Sequence, residues 1–339
     1  MSSLDEISKT NFTSEIINAV EPSALHLIGE WEFWLYSVVL GCVIMLTLSV
    51  FGIIGNVLSI IILTRHGLNE TTNIFLISLS ISDFVCSTCS LFRGLRTIVA
   101  SFGLVVMLNF ELLADLLNHV TEITVLVSIL HVTSISVERV VAVSFPFEVA
   151  KIFTRYRVKC VVIFLYVYGI LLYAPSFLCH YVKWEYDPSV NASLGIWTYT
   201  DILLNNIDVF KLYSVLFLTI SLIVLPLTLT LICSFIIILQ LQLLKNKALS
   251  KNSSSQVKER KVVKMLLILC CLSVFAFLPS SILDLYTVFS GFERHSSFFR
   301  FVVILSPVLY QVNASINFII YITMSSKFAE TYKSLFKSK

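Results

Sequence analysis

Leu79-Ser80-Ile81-Ser82-Asp83 lies in the middle of an apolar run covering residues 73–98. About 20 mostly apolar residues suffice to cross the ~30 Å hydrocarbon core of a bilayer as a helix. Backbone polar groups left unpaired in lipid cost several kcal/mol each, so such a run has to be helical. A carboxylate at its centre costs about 2.5–3.5 kcal/mol or more unless it is paired or hydrated. A simple anchor has no use for it. Asp83 therefore marks a membrane helix with a task beyond anchoring.

Other runs of similar length extend the pattern to seven spans, at 37–64, 73–98, 108–142, 159–181, 210–244, 261–288 and 299–323. The composition agrees. Of the 339 residues, 57% are hydrophobic and 13% charged, against roughly 25% charged in an ordinary soluble domain. An all-α membrane protein built as a seven-helix bundle is expected, with 37–323 as its body. Residues 1–36 form a polar, acidic tail (Asp5, Glu6, Glu15, Glu21, Glu30, Glu32) without the basic-then-apolar pattern of a cleaved leader. The first span is expected to direct its own insertion. Within 324–339, Phe328, Tyr332, Leu335 and Phe336 share one helical face, with Lys327, Glu330 and Lys333 elsewhere. That pattern predicts a short amphipathic helix lying in the membrane interface over 325–336. The eight cysteines fall in or beside apolar runs without metal-finger spacing, and read as small packing residues.

Basic residues set the orientation. Arg65, then Lys151, Arg155, Arg157 and Lys159, then Lys245 to Lys261, then Lys327 to Lys339 follow spans one, three, five and seven. The opposite segments hold far fewer. The N-terminus is expected outside a plasma membrane and the C-terminus in the cytoplasm. Glycosylation acceptors at Asn11 and Asn191 agree with that orientation.

Polar residues recur at depth. Asn56 lies in span one, Ser128 in span three, and Asn313 and Asn317 stand four apart on one face of span seven. With Asp83 they supply the oxygen ligands that a small hard cation such as sodium prefers. Interhelical hydrogen bonding is the plainer role for the same residues. At the inner end of span three, Glu138-Arg139-Val140 is followed by Phe145-Pro146-Phe147, and Glu259 opens span six. An Arg139–Glu259 charge pair between helix ends would make a two-state element; Glu259 as one charge in a solvated basic run is the alternative. Pro175, Pro226, Pro279 and Pro307 interrupt spans four to seven and are expected to kink them.

Together these residues resemble the rhodopsin-like G-protein-coupled receptors, from about residue 35 to 336. The match runs through Gly55-Asn56, Leu79 to Asp83, Glu138-Arg139-Val140, Pro146-Phe147, Pro226, Pro279, Asn317 to Tyr321 and Lys327-Phe328. The resemblance implies that Asp83, Ser128, Asn313 and Asn317 form a sodium site. It implies that Arg139 meets the G protein when active and pairs with Glu259 at rest. Glu138, Pro146, Phe147, Phe277, Pro279 and Tyr321 join the coupling machinery. The chain also departs from the family pattern. Phe318 replaces the proline of the span-seven motif, Phe277 a tryptophan, and Ser234 a tyrosine; Tyr166 stands near the usual span-four tryptophan. Ala114 occupies the place of the cysteine that opens span three, and the loop 182–209 holds no cysteine.

The expected function is conversion of an extracellular ligand, peptide or small molecule, into activation of a heterotrimeric G protein. Thr121 stands where amine receptors carry aspartate and Gln311 where opsins carry lysine, which argues against both. Ligand contacts are expected from Arg93, Asn118, Thr121, Glu122, Asp284, Tyr310 and Gln311, which equally suit packing. No cofactor is required, sodium being an allosteric ligand only, and no nucleic-acid partner is expected. An enzyme is not expected, because no nucleophile–base, phosphate-loop or metal spacing is present. A transporter or channel would need repeats that the chain does not show. A receptor-like binder without coupling is the remaining alternative.

Overall fold

The computed structural model describes residues 38–99, 104–188, 191–247, 254–289 and 297–336. A π-helical turn, Val39–Ile44, leads into α1 (Met45–His66), followed by α2 (Thr71–Val99) and α3 (Leu104–Ser144). A helical turn at Val149–Ile152 precedes α4 (Arg155–Tyr173), which tightens into a 3-10 stretch, Ala174–Cys179, at Pro175. The hairpin of β1 (His180–Asp187) and β2 (Ala192–Tyr199) comes next. The fifth span is assembled from Ile207–Tyr213, a π-helical Ser214–Val224 and α5 (Leu225–Lys247). Then follow α6 (Ser254–Phe289), α7 (Ser297–Met324) and α8 (Ser326–Phe336). Six spans carry long apolar windows; α6 contributes the shorter apolar stretch Leu267–Ile282. The fold is an all-α seven-helix membrane bundle with a short eighth helix.

Along α1 the usual soluble-protein pattern is reversed. The face of α1 that meets α2 and α7 carries Ser49, Gly52, Gly55, Asn56 and Ser59, all buried. Val50, Ile54 and Ile61 are exposed on its other side. In lipid, apolar side chains gain nothing by leaving the surface, so helices meet through small residues and hydrogen bonds. Gly52 shows how close they come. A Cβ there would lie 2.4 Å from Ser87 Oγ and 2.7 Å from Ser315 Oγ. Asn56 Nδ2 donates to the Ala314 carbonyl at 2.9 Å, fixing α1 to α7.

Apolar packing is heaviest at the Arg139 end. Ile62, Phe75, Leu79, Ile135, Val158, Met265, Leu269, Tyr321 and Phe328 form one cluster there. Phe318 explains how α7 does without its proline. Its ring packs on Phe328 (5.9 Å between centroids) and Tyr332 (5.7 Å) of α8. A Cβ on Gly55 of α1 would come within 3.0 Å of its Cβ. The backbone of α7 keeps an N–H, and the side chain joins three helices. Tyr332 and Leu335 also pack on this cluster, so the amphipathic face expected on α8 is turned onto the bundle.

The sequence left the loop 182–209 without a staple or an assigned structure. It contains the antiparallel hairpin, registered from His180 opposite Tyr199 to Asp187 opposite Ala192. Asn191 turns the chain with a φ of 49°, a conformation asparagine tolerates better than most residues. Its Oδ1 accepts from the Tyr186 hydroxyl at 2.7 Å. β2 packs on α3, and a Cβ on Gly195 would lie 2.5 Å from Leu112 Cδ1. All eight cysteines are free thiols.

Candidate functional site

Three of the expected cation ligands are joined. Asp83 is 1% exposed, Oδ1 accepting from Ser128 Oγ at 2.7 Å and Oδ2 from Asn317 Nδ2 at 2.6 Å. The carboxylate thereby ties α2, α3 and α7 at mid-depth. Asn313 turns toward α6, where its Oδ1 accepts from Ser273 Oγ at 3.0 Å. Both Asp83 oxygens accept protein hydrogen bonds here, and Asn317 presents its nitrogen rather than its oxygen to the carboxylate. No group of three or more His, Cys, Asp or Glu poised for a metal is present among the described residues.

Above this pocket Phe277 and Tyr310 pack ring to ring, 5.1 Å between centroids. Tyr310 donates to Ser280 Oγ, one residue beyond Pro279. Phe277 is buried with Ile129, Leu227 and Ala314, so α3, α5, α6 and α7 share one apolar contact. Thr133 of α3 bonds the Pro226 carbonyl at 3.2 Å and the Thr230 hydroxyl at 2.9 Å. α5 is thus held to α3 beside its proline.

At the far end of α3, Arg139 is gripped by its neighbour. Its Nε lies 3.0 Å from Glu138 Oε2, and Nη2 donates to Oε1 at 3.3 Å. Glu138 is itself held from α2. Thr71 Oγ1 donates to Oε1 at 3.0 Å, and Thr72 Oγ1 lies 2.9 and 3.2 Å from the two carboxylate oxygens. Hydrogen bonds to a charged group are worth about 1.5–3 kcal/mol. The two threonines escaped the sequence reading. Most Ser and Thr hydroxyls on the spans fold back onto their own helix, as Thr64, Thr88 and Ser134 do. Thr71 and Thr72 lie in the first turn of α2, where no preceding helical carbonyl exists. That position was the available signal. Glu259 lies on α6, but its side chain is outside the described ones, and so is that of Asp284.

Two hollows meet at Arg139. One of about 280 Å³ is lined by Arg139, Tyr321, Thr72, Met265, Lys327 and Phe328. The other, about 590 Å³, runs past Glu138, Thr71, Ala142, Phe153 and Arg155. Tyr321 is buried in the first with a hydroxyl that has no hydrogen-bond partner. Phe147, beside Pro146, is 90% exposed at the same end. Lys327 of α8 reaches Glu70 at 3.2 Å, and His66 Nε2 is 2.8 Å from Thr331 Oγ1.

At the hairpin end the expected ligand contacts scatter. Arg93 is exposed and Glu122 half-buried. Thr121 Oγ1 donates to its own helix at Leu117. Gln311 is fully buried, its Nε2 donating to Ser87 at 2.9 Å and Ser315 at 3.0 Å. It braces α7 against α1 and α2. Asn118 is half-buried and its Oδ1 has no partner, as is Trp197 Nε1 of β2, which the sequence reading missed. Asn191 is exposed at the hairpin turn, and Asn11 lies outside the described residues.

His131 was also missed. It is fully buried, Nδ1 donating to the Val127 carbonyl and Nε2 accepting from Ser78 Oγ, each at 2.8 Å. Tyr166, near the place of the usual tryptophan, donates to the Ser78 carbonyl at 3.0 Å and lies edge-on to His131. Spans two, three and four are pinned by this trio.

The family model described as 7 transmembrane receptor (rhodopsin family) matches residues 55–321. Among curated proteins, the chain is 27% identical to the Neuromedin-U receptor 2 of Homo sapiens over 307 residues, 87% of this chain and 71% of that receptor. It is 24% identical to the Rattus norvegicus receptor of the same name, over 84% of this chain and 72% of that one. Against the Homo sapiens Growth hormone secretagogue receptor type 1 it is 32% identical over 142 residues, 41% of this chain and 37% of that receptor. Those relatives form a receptor family, not an enzyme family. With its Asp83 knot, its Glu138–Arg139 pair and a matching stretch covering most of its length, this multi-pass membrane chain belongs to the rhodopsin family of seven-transmembrane receptors.

Proposed function

We propose that the protein binds an extracellular peptide at the hairpin end and activates a heterotrimeric G protein at the Arg139 end. The hairpin end would face the outside of a plasma membrane, as the distribution of Lys and Arg favours. The observation that carries the reading is the restraint on Arg139. A guanidinium placed between two hollows and held by one buried carboxylate would be a releasable contact for a cytoplasmic partner. Ligand and G protein would each favour the arrangement in which Arg139 is free, and so favour each other's binding.

A peptide fits because the similar receptors are named for neuromedin-U and for growth hormone secretagogues. The unpartnered Asn118 Oδ1 and Trp197 Nε1 supply one acceptor and one donor, as a peptide backbone requires. Arg93, Thr121, Glu122, Asp284, Tyr310 and Gln311 then divide. Arg93, Glu122 and Asp284 would read ligand charge, whereas Thr121, Tyr310 and Gln311 shape the wall behind it. A sodium ion would be held by Asp83, Ser128 and the oxygen of Asn313 or Asn317, neutralising the carboxylate in the resting bundle.

The test is G-protein activation in cells expressing the chain, challenged with neuromedin-U and then a panel of secreted peptides. A saturable response that Arg139→Ala abolishes at equal surface level supports the reading. Silence across the panel, with small molecules active instead, overturns the peptide assignment. Silence toward every ligand and every G-protein class overturns the coupling.

A further inference from the structure

The hairpin is attached to the bundle through histidines. His119 of α3 has four rings around it: Tyr173 at 5.9 Å, Phe177 at 5.0 Å, His180 at 6.2 Å and Trp197 at 6.3 Å between centroids. His119 Nδ1 is also 2.9 Å from the Tyr173 hydroxyl. His180 opens β1 and packs in turn on Trp197 at 6.3 Å and on Tyr199 at 5.1 Å. One pair of imidazoles therefore joins α3, the end of α4 and both strands. No disulfide shares the task, since every cysteine is a free thiol.

We propose that His119 and His180 form a proton-binding clasp, and that acid on the hairpin side of the membrane opens it and releases the hairpin from α3.

An uncharged imidazole packs among rings as an aromatic does. Charging both would set like charges 6.2 Å apart in a partly buried place. Burial already holds the His180 imidazole below its ordinary value, against the opposing pull of a Ser176 backbone hydrogen bond and the Asp115 charge. The titratable groups around the pair are Asp115 and Glu122 on α3, Tyr173 on α4, Cys179 beside His180, Tyr199 on β2, and Tyr213 at the start of the fifth span. Two of these, Asp115 and Glu122, are carboxylic acids. Both belong to α3, and Asp115 is exposed, so its pull acts through water.

The direction follows from proton linkage. In an opened hairpin a histidine titrates near 6.5, so the closed form binds fewer protons. The clasp is at full strength above about pH 6.5 and weakens as the pH falls below that. At pH 5.5, one unit below the free value, complete exclusion of the proton from one closed-form histidine sets a ceiling of about tenfold on the shift in the closed-to-open ratio. Any effect on ligand affinity rests on the function proposed above. Proton binding by the clasp does not.

Deuterium exchange on the full-length protein in lipid nanodiscs separates the two. Exchange of amides 180–199 is followed at pH 7.4 and 5.5, each corrected for the intrinsic pH dependence of exchange. The hairpin is expected to lose protection in acid, by a factor between about two and ten, with no change in α1 and α2. His119→Phe with His180→Phe, which keeps the rings and removes the protons, is expected to stay protected at both values. Unchanged protection in the wild type overturns the clasp. So does an undiminished acid response in the double variant, which would place the proton elsewhere, on Asp115 first. Should the double variant fail to fold, His180→Gln is expected to show a smaller acid response than the wild type. An equal response would overturn the proposal. Basal signalling measured at both pH values reads the second layer: a hairpin that opens without altering any response sustains the clasp and counts against the hairpin as part of the ligand site.

Discussion

The two ends of the bundle are held by different chemistry. At the Arg139 end the ties are directional: Thr71 and Thr72 to Glu138, Glu138 to Arg139, Lys327 to Glu70 and His66 to Thr331. At the hairpin end the ties are mainly rings, with His119, His180, Trp197, Tyr173 and Phe177 packed edge-on or tilted, one hydrogen bond between His119 and Tyr173, and no disulfide. Directional ties have discrete alternatives, so a bundle end built from them can switch between two arrangements. A ring cluster has many near-equivalent packings and suits a roof that must adapt to what lies beneath it. On the function proposed above, the difference would set the switch at the Arg139 end and the adaptable surface at the hairpin end.

Removing Arg139 breaks the directional end most completely. In the Arg139→Ala variant, G-protein activation at equal surface level is expected to fall by a factor of ten or more, since about 1.4 kcal/mol corresponds to tenfold. Retained activity would move the switch elsewhere. Next comes the seam between the ends. Gly52→Val forces side-chain carbons onto Ser87 and Ser315 and is expected to destabilise by about 1–3 kcal/mol, read as a lowered thermal midpoint in detergent. Gly41→Ala, with nothing within 4 Å of its new carbon, is the control and should change stability by less than about 0.5 kcal/mol. If both substitutions behave alike, the tight contact between α1, α2 and α7 is wrong.

His131→Phe removes the short bond of the Ser78 hydroxyl, leaving it the long one to the Tyr166 hydroxyl at 3.4 Å, and is expected to cost about 1–3 kcal/mol in the same assay. Ser78→Ala in that background should restore part of the loss, because the poorly bonded hydroxyl is gone. Smallest of all is Thr71→Val, which removes one of the two threonines on Glu138. About 1 kcal/mol of lost restraint is expected to raise basal activation roughly fivefold. No rise would limit the restraint to Thr72.

The seven spans were legible because lipid imposes length and apolarity on every helix, and both survive in composition. The ends of those helices were less so. α6 begins at Ser254 rather than 261, since its first turns are polar and apolarity reports only the stretch within lipid. Asp83, Ser128 and Asn317 were legible as a group because each is costly at that depth, and costly residues need partners. Asn313 was placed in the same group by its spacing, yet it bonds Ser273, since a helix face says which way a side chain points and not which neighbour reaches it first. The hairpin-end ties were hidden for another reason. His119 and Trp197 are 78 positions apart and neither breaks any rule of composition at its own site. Thr71 and Thr72 looked ordinary among the many hydroxyls that bond their own helices.

The restraint on Arg139 is the centre of the account, and the double variant Thr71→Val, Thr72→Val tests it most directly. Basal G-protein activation is compared among the wild type, this double variant, and the double variant carrying Arg139→Ala, at equal surface expression. A clear rise in the double variant that vanishes when Arg139 is removed is the expected result. Basal activity equal to the wild type in the double variant, with Glu138 stripped of both hydroxyls, would contradict it.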